Sequence, residues 1–188
     1  MKKFNLKEIL IPTISLFLIC TIVTLLLAVT NTVTVPQIEK LQAENENKIK
    51  VAVLPDATSF SEAKTINYKD IDYTYYEGLG ADNNVVGYVF TTSAKGYGGD
   101  IITMVGVKAD GSVSGMDFLS ISETAGLGMN ADADEFKNQF VGKSGVIGAN
   151  KTASSDTEIQ ALTGATITSK AVTEAVNIAL ALFEEVNG

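Results

Sequence analysis

Residues 85–121 read VVGYVFTTSAKGYGGDIITMVGVKADGSVSGMDFLSI, and their pattern decides the fold. Three runs rich in β-formers, 85–90, 100–107 and 113–121, follow one another at short intervals. Asp110-Gly111, between the last two, tolerates the positive φ of a tight hairpin. A glycine-rich bend, Lys95-Gly-Tyr-Gly-Gly99, separates the first two. Upstream, 73–76 alternates weakly, and together these runs predict an antiparallel meander. Downstream, 134–140 predicts a short helix with Phe136 and Phe140 on one face. A longer helix is predicted over 169–186, with Val172, Ala175, Val176, Ala179, Leu182, Phe183 and Val186 as a wide apolar stripe. Strands followed by helices predict an α+β domain, an antiparallel sheet with flanking helices.

Ahead of this domain, residues 9–29 carry no charge. A helix of that length rises about 30 Å, enough to span a hydrocarbon core. Pro12 falls near its start, where a missing N–H matters least. Lys2, Lys3 and Lys7 precede the segment and no lysine follows until Lys40, so the positive-inside bias puts the N-terminus in the cytoplasm. The apolar run is longer than a signal-peptide core of about 7–15 residues. The expectation is a single-pass protein of a bacterial cell membrane, its C-terminal domain extracytoplasmic. Residues 36–53 predict a further helix, broken at Pro55-Asp56. The expected layout is 1–30 for the cytoplasmic end and transmembrane anchor, 31–56 for a stalk helix, and 57–188 for the folded domain.

Composition narrows the chemistry. The chain has no His, one Cys and no Arg, all fourteen basic residues being Lys. Histidine-based triads and metal sites are excluded, as are Cys-rich zinc and iron–sulfur sites; carboxylate-only metal binding stays open. A net charge of −8 argues against nucleic acid. Gly142-Lys143-Ser144 lacks the spacing of a P-loop. The acidic run Asp132-Ala-Asp134-Glu135 lacks the glycine and distal glutamate of a calcium loop and reads as a solvated helix start.

TGATITS, residues 163–169, holds four hydroxyls around Gly164 and Ala165 just before the last helix. It reads as a turn plus an N-cap from Thr168 or Ser169. It also reads as an anion site: the free N–H groups of a helix start attract phosphate, and Gly164 and Ala165 admit a bulky ligand. A Ser or Thr nucleophile would need a base, and only Lys170 is close in sequence. A phosphate esterified to a threonine would need no Arg clamp, which suits a chain without Arg.

Leu162-Thr-Gly-Ala-Thr-Ile-Thr-Ser169 resembles the flavinylation motif of FMN-binding domains in ion-pumping membrane oxidoreductases. Val53-Leu-Pro-Asp-Ala57, Gly96-Tyr-Gly-Gly99, Glu123-Thr-Ala-Gly-Leu-Gly128 and Phe140-Val-Gly-Lys143 come in that family's order. The match is nearest to the RnfG type of the Rnf complex, with the NqrC type of the sodium-pumping quinone reductase as the alternative. The chain departs from the motif at Gln160, where an acidic residue is usual, and at Ala125, where Pro is frequent. The resemblance implies FMN joined through its phosphate to Thr166 by a flavin transferase. It implies cofactor contacts from Thr163, Gly164, Ala165, Thr168, Ser169, Glu123, Thr124, Gly126, Leu127, Gly128, Tyr97 and Gly98, with Lys143 near the flavin. The chain would then carry electrons between the other membrane and redox subunits of an Rnf-type complex, which couples ferredoxin–NAD electron transfer to sodium or proton translocation. A non-redox exported ligand-binding domain and a Ser–Lys hydrolase are the competing readings.

Overall fold

The structure, a computed structural model, describes residues 6–187. It falls into two compact units, Met1–Glu44 and Asn45–Gly188. Helix α1 spans Leu6–Val53, and so both units. In the first unit its large apolar side chains, from Ile9 to Leu41, are exposed. It is long and apolar enough to cross a membrane. Thr13, Thr21, Thr30 and Thr32 each donate a hydroxyl hydrogen bond to the carbonyl four residues back, which removes their polar cost in an apolar setting. Pro12, expected at the helix start, lies inside α1, as does Pro36. α1 takes in residues of both the expected anchor and the expected stalk helix.

The second unit holds a six-stranded antiparallel sheet. Its strands are β1 (Ser59–Phe60), β2 (Lys64–Tyr68), β3 (Ile71–Leu79), β4 (Val85–Lys95), β5 (Asp100–Lys108) and β6 (Val113–Ser120). β3 to β6 form the expected meander, and β1 and β2 both pair with β3. The β5–β6 turn has Gly111 at φ 81°, as Asp110-Gly111 predicts, and Asp110 Oδ1 accepts from the Ser112 N–H and hydroxyl. The β2–β3 turn puts Lys69 and Asp70 at φ 52° and 63°, a hairpin geometry that this glycine-free pair does not advertise. After β6 come a 3-10 turn, Gly128–Asp132, and α2 (Asp134–Lys137), extended by a second 3-10 turn, Asn138–Phe140. Phe136 and Phe140 are buried edge-to-face, 5.7 Å apart. A short parallel pair, β7 (Gly148–Asn150) and β8 (Glu158–Gln160), precedes α3 (Thr166–Asn187).

The sheet is covered on both faces. On one, α3 lays Val172, Ala175, Val176, Ala179 and Leu182 against Phe90, Val105 and Val107. On the other sit Ile49 and Val53 from the end of α1, with Leu54, Ala57, Tyr76, Val89 and Met104. Four adjacent strands each bring one glycine beneath this second cover: Gly78, Gly87, Gly106 and Gly115. A Cβ at Gly115 would stand 3.1 Å from Val53 Cα, and one at Gly106 would collide with the Val53 carbonyl oxygen. The missing side chains form the groove that lets the chain at Val53-Leu54 lie directly on the strands. Lys50, 7 % exposed, seals the edge. Its ammonium lies 3.4 Å from Glu46 Oε1 and 4.0 Å from the Tyr76 ring centroid, while the Tyr76 hydroxyl donates to the same carboxylate at 2.6 Å. The α+β reading therefore holds.

Candidate functional site

α3 begins at Thr166, three residues before the expected start. Ser169 explains the difference. Its hydroxyl accepts from the Leu162 N–H at 2.9 Å and donates to the Ala165 carbonyl at 3.0 Å, so it ties the preceding turn to the helix. Gly164, at φ 77°, makes that turn. The first helical backbone bond runs from Ser169 N–H to the Ala165 carbonyl. Neither Thr168 nor Ser169 caps the helix, contrary to the sequence reading. Ala165 stands before the first turn and has no side-chain acceptor for the N–H groups of Thr166, Ile167 and Thr168.

Two other loops meet this helix start: the β4–β5 turn at Gly96–Gly99 and the loop after β6, Glu123–Gly128. Glu123 joins all three. Its Oε1 accepts from the Tyr97 N–H at 2.8 Å and the Gly98 N–H at 3.2 Å; its Oε2 accepts from the Thr168 hydroxyl at 3.0 Å. Gly128 leaves room for the carboxylate, since a Cβ there would stand 2.6 Å from Oε2 and 2.7 Å from Thr168 Oγ1.

The three segments enclose a cleft of about 490 Å3 lined by Tyr97, Glu123, Thr124, Leu127, Gly128 and Gly164 to Thr168. That volume suits a small-molecule or cofactor site. Its rim is apolar and open, with Tyr97 72 % and Ile167 55 % exposed. Such side chains next to polar N–H groups and hydroxyls suit a ligand with a flat apolar part and an anionic part.

The four hydroxyls of TGATITS are now distinguishable. Thr168 and Ser169 are buried, their hydroxyls committed inside the protein. Thr163 is exposed but lines a neighbouring hollow with Gln139, Gln160 and Asn130. Thr166 is exposed and lines the cleft. Gly98 enters the rim through its N–H, and Gly126, at φ 76°, turns the loop. Lys143 lies elsewhere, its ammonium donating to the Asp156 carbonyl. Lys170 lines a separate groove with Thr173 and Glu174, so it is no base for Ser169. The acidic run at 132–135 is a helix start whose Asp132 and Asp134 lie 3.3 and 3.7 Å from Lys137, which also meets Asp117 at 2.9 Å. Ile167 escaped the sequence reading. Its signal was its place off the apolar stripe of α3, on the face of Lys170 and Glu174.

The FMN-binding domain family matches residues 96–181, which hold all three cleft segments. The G-type member of the Na(+)-translocating ferredoxin:NAD(+) oxidoreductase complex of Acetobacterium woodii is 33% identical over 190 residues, covering 92% of this chain and 90% of that one. The chain belongs to the RnfG family. The G-type member of the proton-translocating ferredoxin:NAD(+) oxidoreductase complex of Clostridium ljungdahlii is 36% identical over 167 residues, covering 88% and 86%. The fold of this RnfG-type chain is also that of the C-type member of the Na(+)-translocating NADH-quinone reductase from Parabacteroides distasonis, with TM-score 0.59 at 19% identity over 76% of this chain and 92% of that one. NqrC of Shewanella oneidensis aligns with TM-score 0.51 at 19% identity, over 67% and 66%. At that identity the likeness shows the fold alone. The sequence relatives settle the family as the G type.

Proposed function

We propose that this chain is a covalent-FMN electron carrier of an Rnf-type complex, with the flavin phosphate esterified to Thr166. The observation that carries the reading is the position of Thr166, the one hydroxyl of TGATITS that is both exposed and in the cleft. The cleft fits the group. The uncapped first turn of α3 offers N–H donors beside Thr166 for the phosphate oxygens. Tyr97, Leu127 and Ile167 offer apolar surface to the ring system. FMN, when bound, supplies the capacity to accept and release electrons; the chain supplies position and electrostatic setting. An ester bond retains the phosphate without the cationic clamp that the described cleft lacks. Attachment would fall to a flavin transferase, and electrons would pass to and from other subunits of the complex. Ferredoxin and NAD stand in the names of the relatives, and the chain would serve the same couple. The lysine pattern around α1 supports a cytoplasmic N-terminus and an extracytoplasmic FMN domain.

The test is fluorescence of the denatured protein in a gel under ultraviolet light, after co-expression with a flavin transferase. Wild type should fluoresce, Thr166→Val should not, and Thr163→Val should. A dark wild type would end the covalent-carrier reading.

A further inference from the structure

We propose that Glu123 is the positioning residue of this cleft, which binds three distant segments into one rim and leaves a bare negative charge beside the cofactor. The first half rests on connectivity. One carboxylate holds the backbone N–H groups of Tyr97 and Gly98, 26 and 25 residues away, and the Thr168 hydroxyl, 45 residues away. No other side chain among the described hydrogen bonds links these loops. Two glycines, Gly96 and Gly128, face its oxygens, where any Cβ would push the carboxylate out of its seat.

The second half rests on the identity of the partners. All three donors are neutral. Among the described residues no lysine forms an ion pair with Glu123, whereas Glu46, in the other charged cluster under the sheet, has Lys50. Hydrogen bonds spread a carboxylate's charge without cancelling it. Glu123 lines the cleft wall, so its field reaches whatever fills the cleft. Its oxygens are occupied and would repel a phosphate. Glu123 therefore acts on the cofactor by fixing Tyr97 and the start of α3, and by opposing added negative charge. The second effect makes the cofactor harder to reduce. This half rests on the FMN reading; the rim does not.

The experiment uses the full chain in detergent, as wild type, Glu123→Ala, Glu123→Gln and Thr168→Val. Amide hydrogen exchange at Tyr97 and Gly98 is read in protein made without flavin. Covalent flavin yield and the flavin midpoint potential are read in protein co-expressed with a flavin transferase. Glu123→Ala should speed exchange at both amides at least about tenfold, since each loses a charge-assisted bond. Glu123→Gln keeps an oxygen for both amides and removes the charge. It should hold exchange and flavin yield near wild type and shift the potential positive. Thr168→Val should speed exchange less than Glu123→Ala. Unchanged exchange in Glu123→Ala overturns the rim. An unchanged potential in Glu123→Gln overturns the charge effect. A wild type without flavin sinks the carrier reading alone, and the exchange rates still decide the rim.

Discussion

Two clusters in the folded unit use one charged side chain to tie separate segments together, and they end differently. At the end of α1, Lys50 joins Glu46 and the Tyr76 ring, and the neighbouring Val53 and Leu54 are 1 % and 0 % exposed. At the start of α3, Glu123 joins Tyr97, Gly98 and Thr168, yet Tyr97 and Ile167 remain mostly in solvent. In the first cluster Lys50 is buried and its charge is paired with a part-exposed Glu46. The second is built as carefully but left open, with unpaired charge and uncovered apolar surface. A fold that packs four strand glycines under Val53-Leu54 can fill space where stability is the only demand. The uncovered surface around Thr166 is what an incoming ligand would cover.

Substitutions can break this contrast. Leu54→Ala should have the largest effect, about 2–5 kcal/mol of lost stability in chemical denaturation, because it empties a fully buried site. Gly106→Ala should cost about 1–3 kcal/mol, since the new methyl meets the Val53 carbonyl and neither backbone yields easily. A cost below half that range would show the seat to be loose.

Tyr76→Phe should cost about 1 kcal/mol at neutral pH through its lost hydrogen bond to Glu46. It should also alter the alkaline limb of the stability curve. Burial, and then the bond to Glu46, push the Tyr76 hydroxyl far above the ordinary phenol range. The unfolded chain loses this proton near pH 10 while the folded chain keeps it. Wild type is therefore fully supported by Tyr76 below about pH 10 and loses that support as pH rises further. The phenylalanine variant should lose less over the same interval in denaturation measured from pH 8 to 11.

The smallest stability change should come from the open side. Tyr97→Ala and Ile167→Ser should each lie within about 0.5 kcal/mol of wild type, because both side chains face solvent. The flavin absorption spectrum of each loaded variant should nonetheless shift, as its ring environment changes. A large stability loss with an unchanged spectrum would make these residues structural and erase the contrast between the two clusters.

Much of this was legible in the residues. Strands β4 to β6 showed themselves because β-formers alternate between turns of distinctive chemistry. β2, β7 and β8 did not, because a turn made of Lys69-Asp70 and strands of three residues leave no periodic signature. The start of α3 was misplaced for a related reason. A serine before an apolar stripe reads as a cap, but Ser169 reaches back to Leu162 and Ala165 instead.

The sequence by itself determined the apolar span at the N-terminus, the meander, the stripe of α3 and a cluster of four hydroxyls beside a helix start. These are local patterns, set by the period of side chains along one element. Only the tertiary structure decided which hydroxyl is free. Thr168 and Ser169 are withdrawn by partners 45 and 7 residues away, and Thr163 turns to another hollow. Of the four hydroxyls of TGATITS, Thr166 alone is both exposed and in the cleft, because Glu123 and Gly128 bring a distant loop against the helix start, a contact that no local pattern encodes.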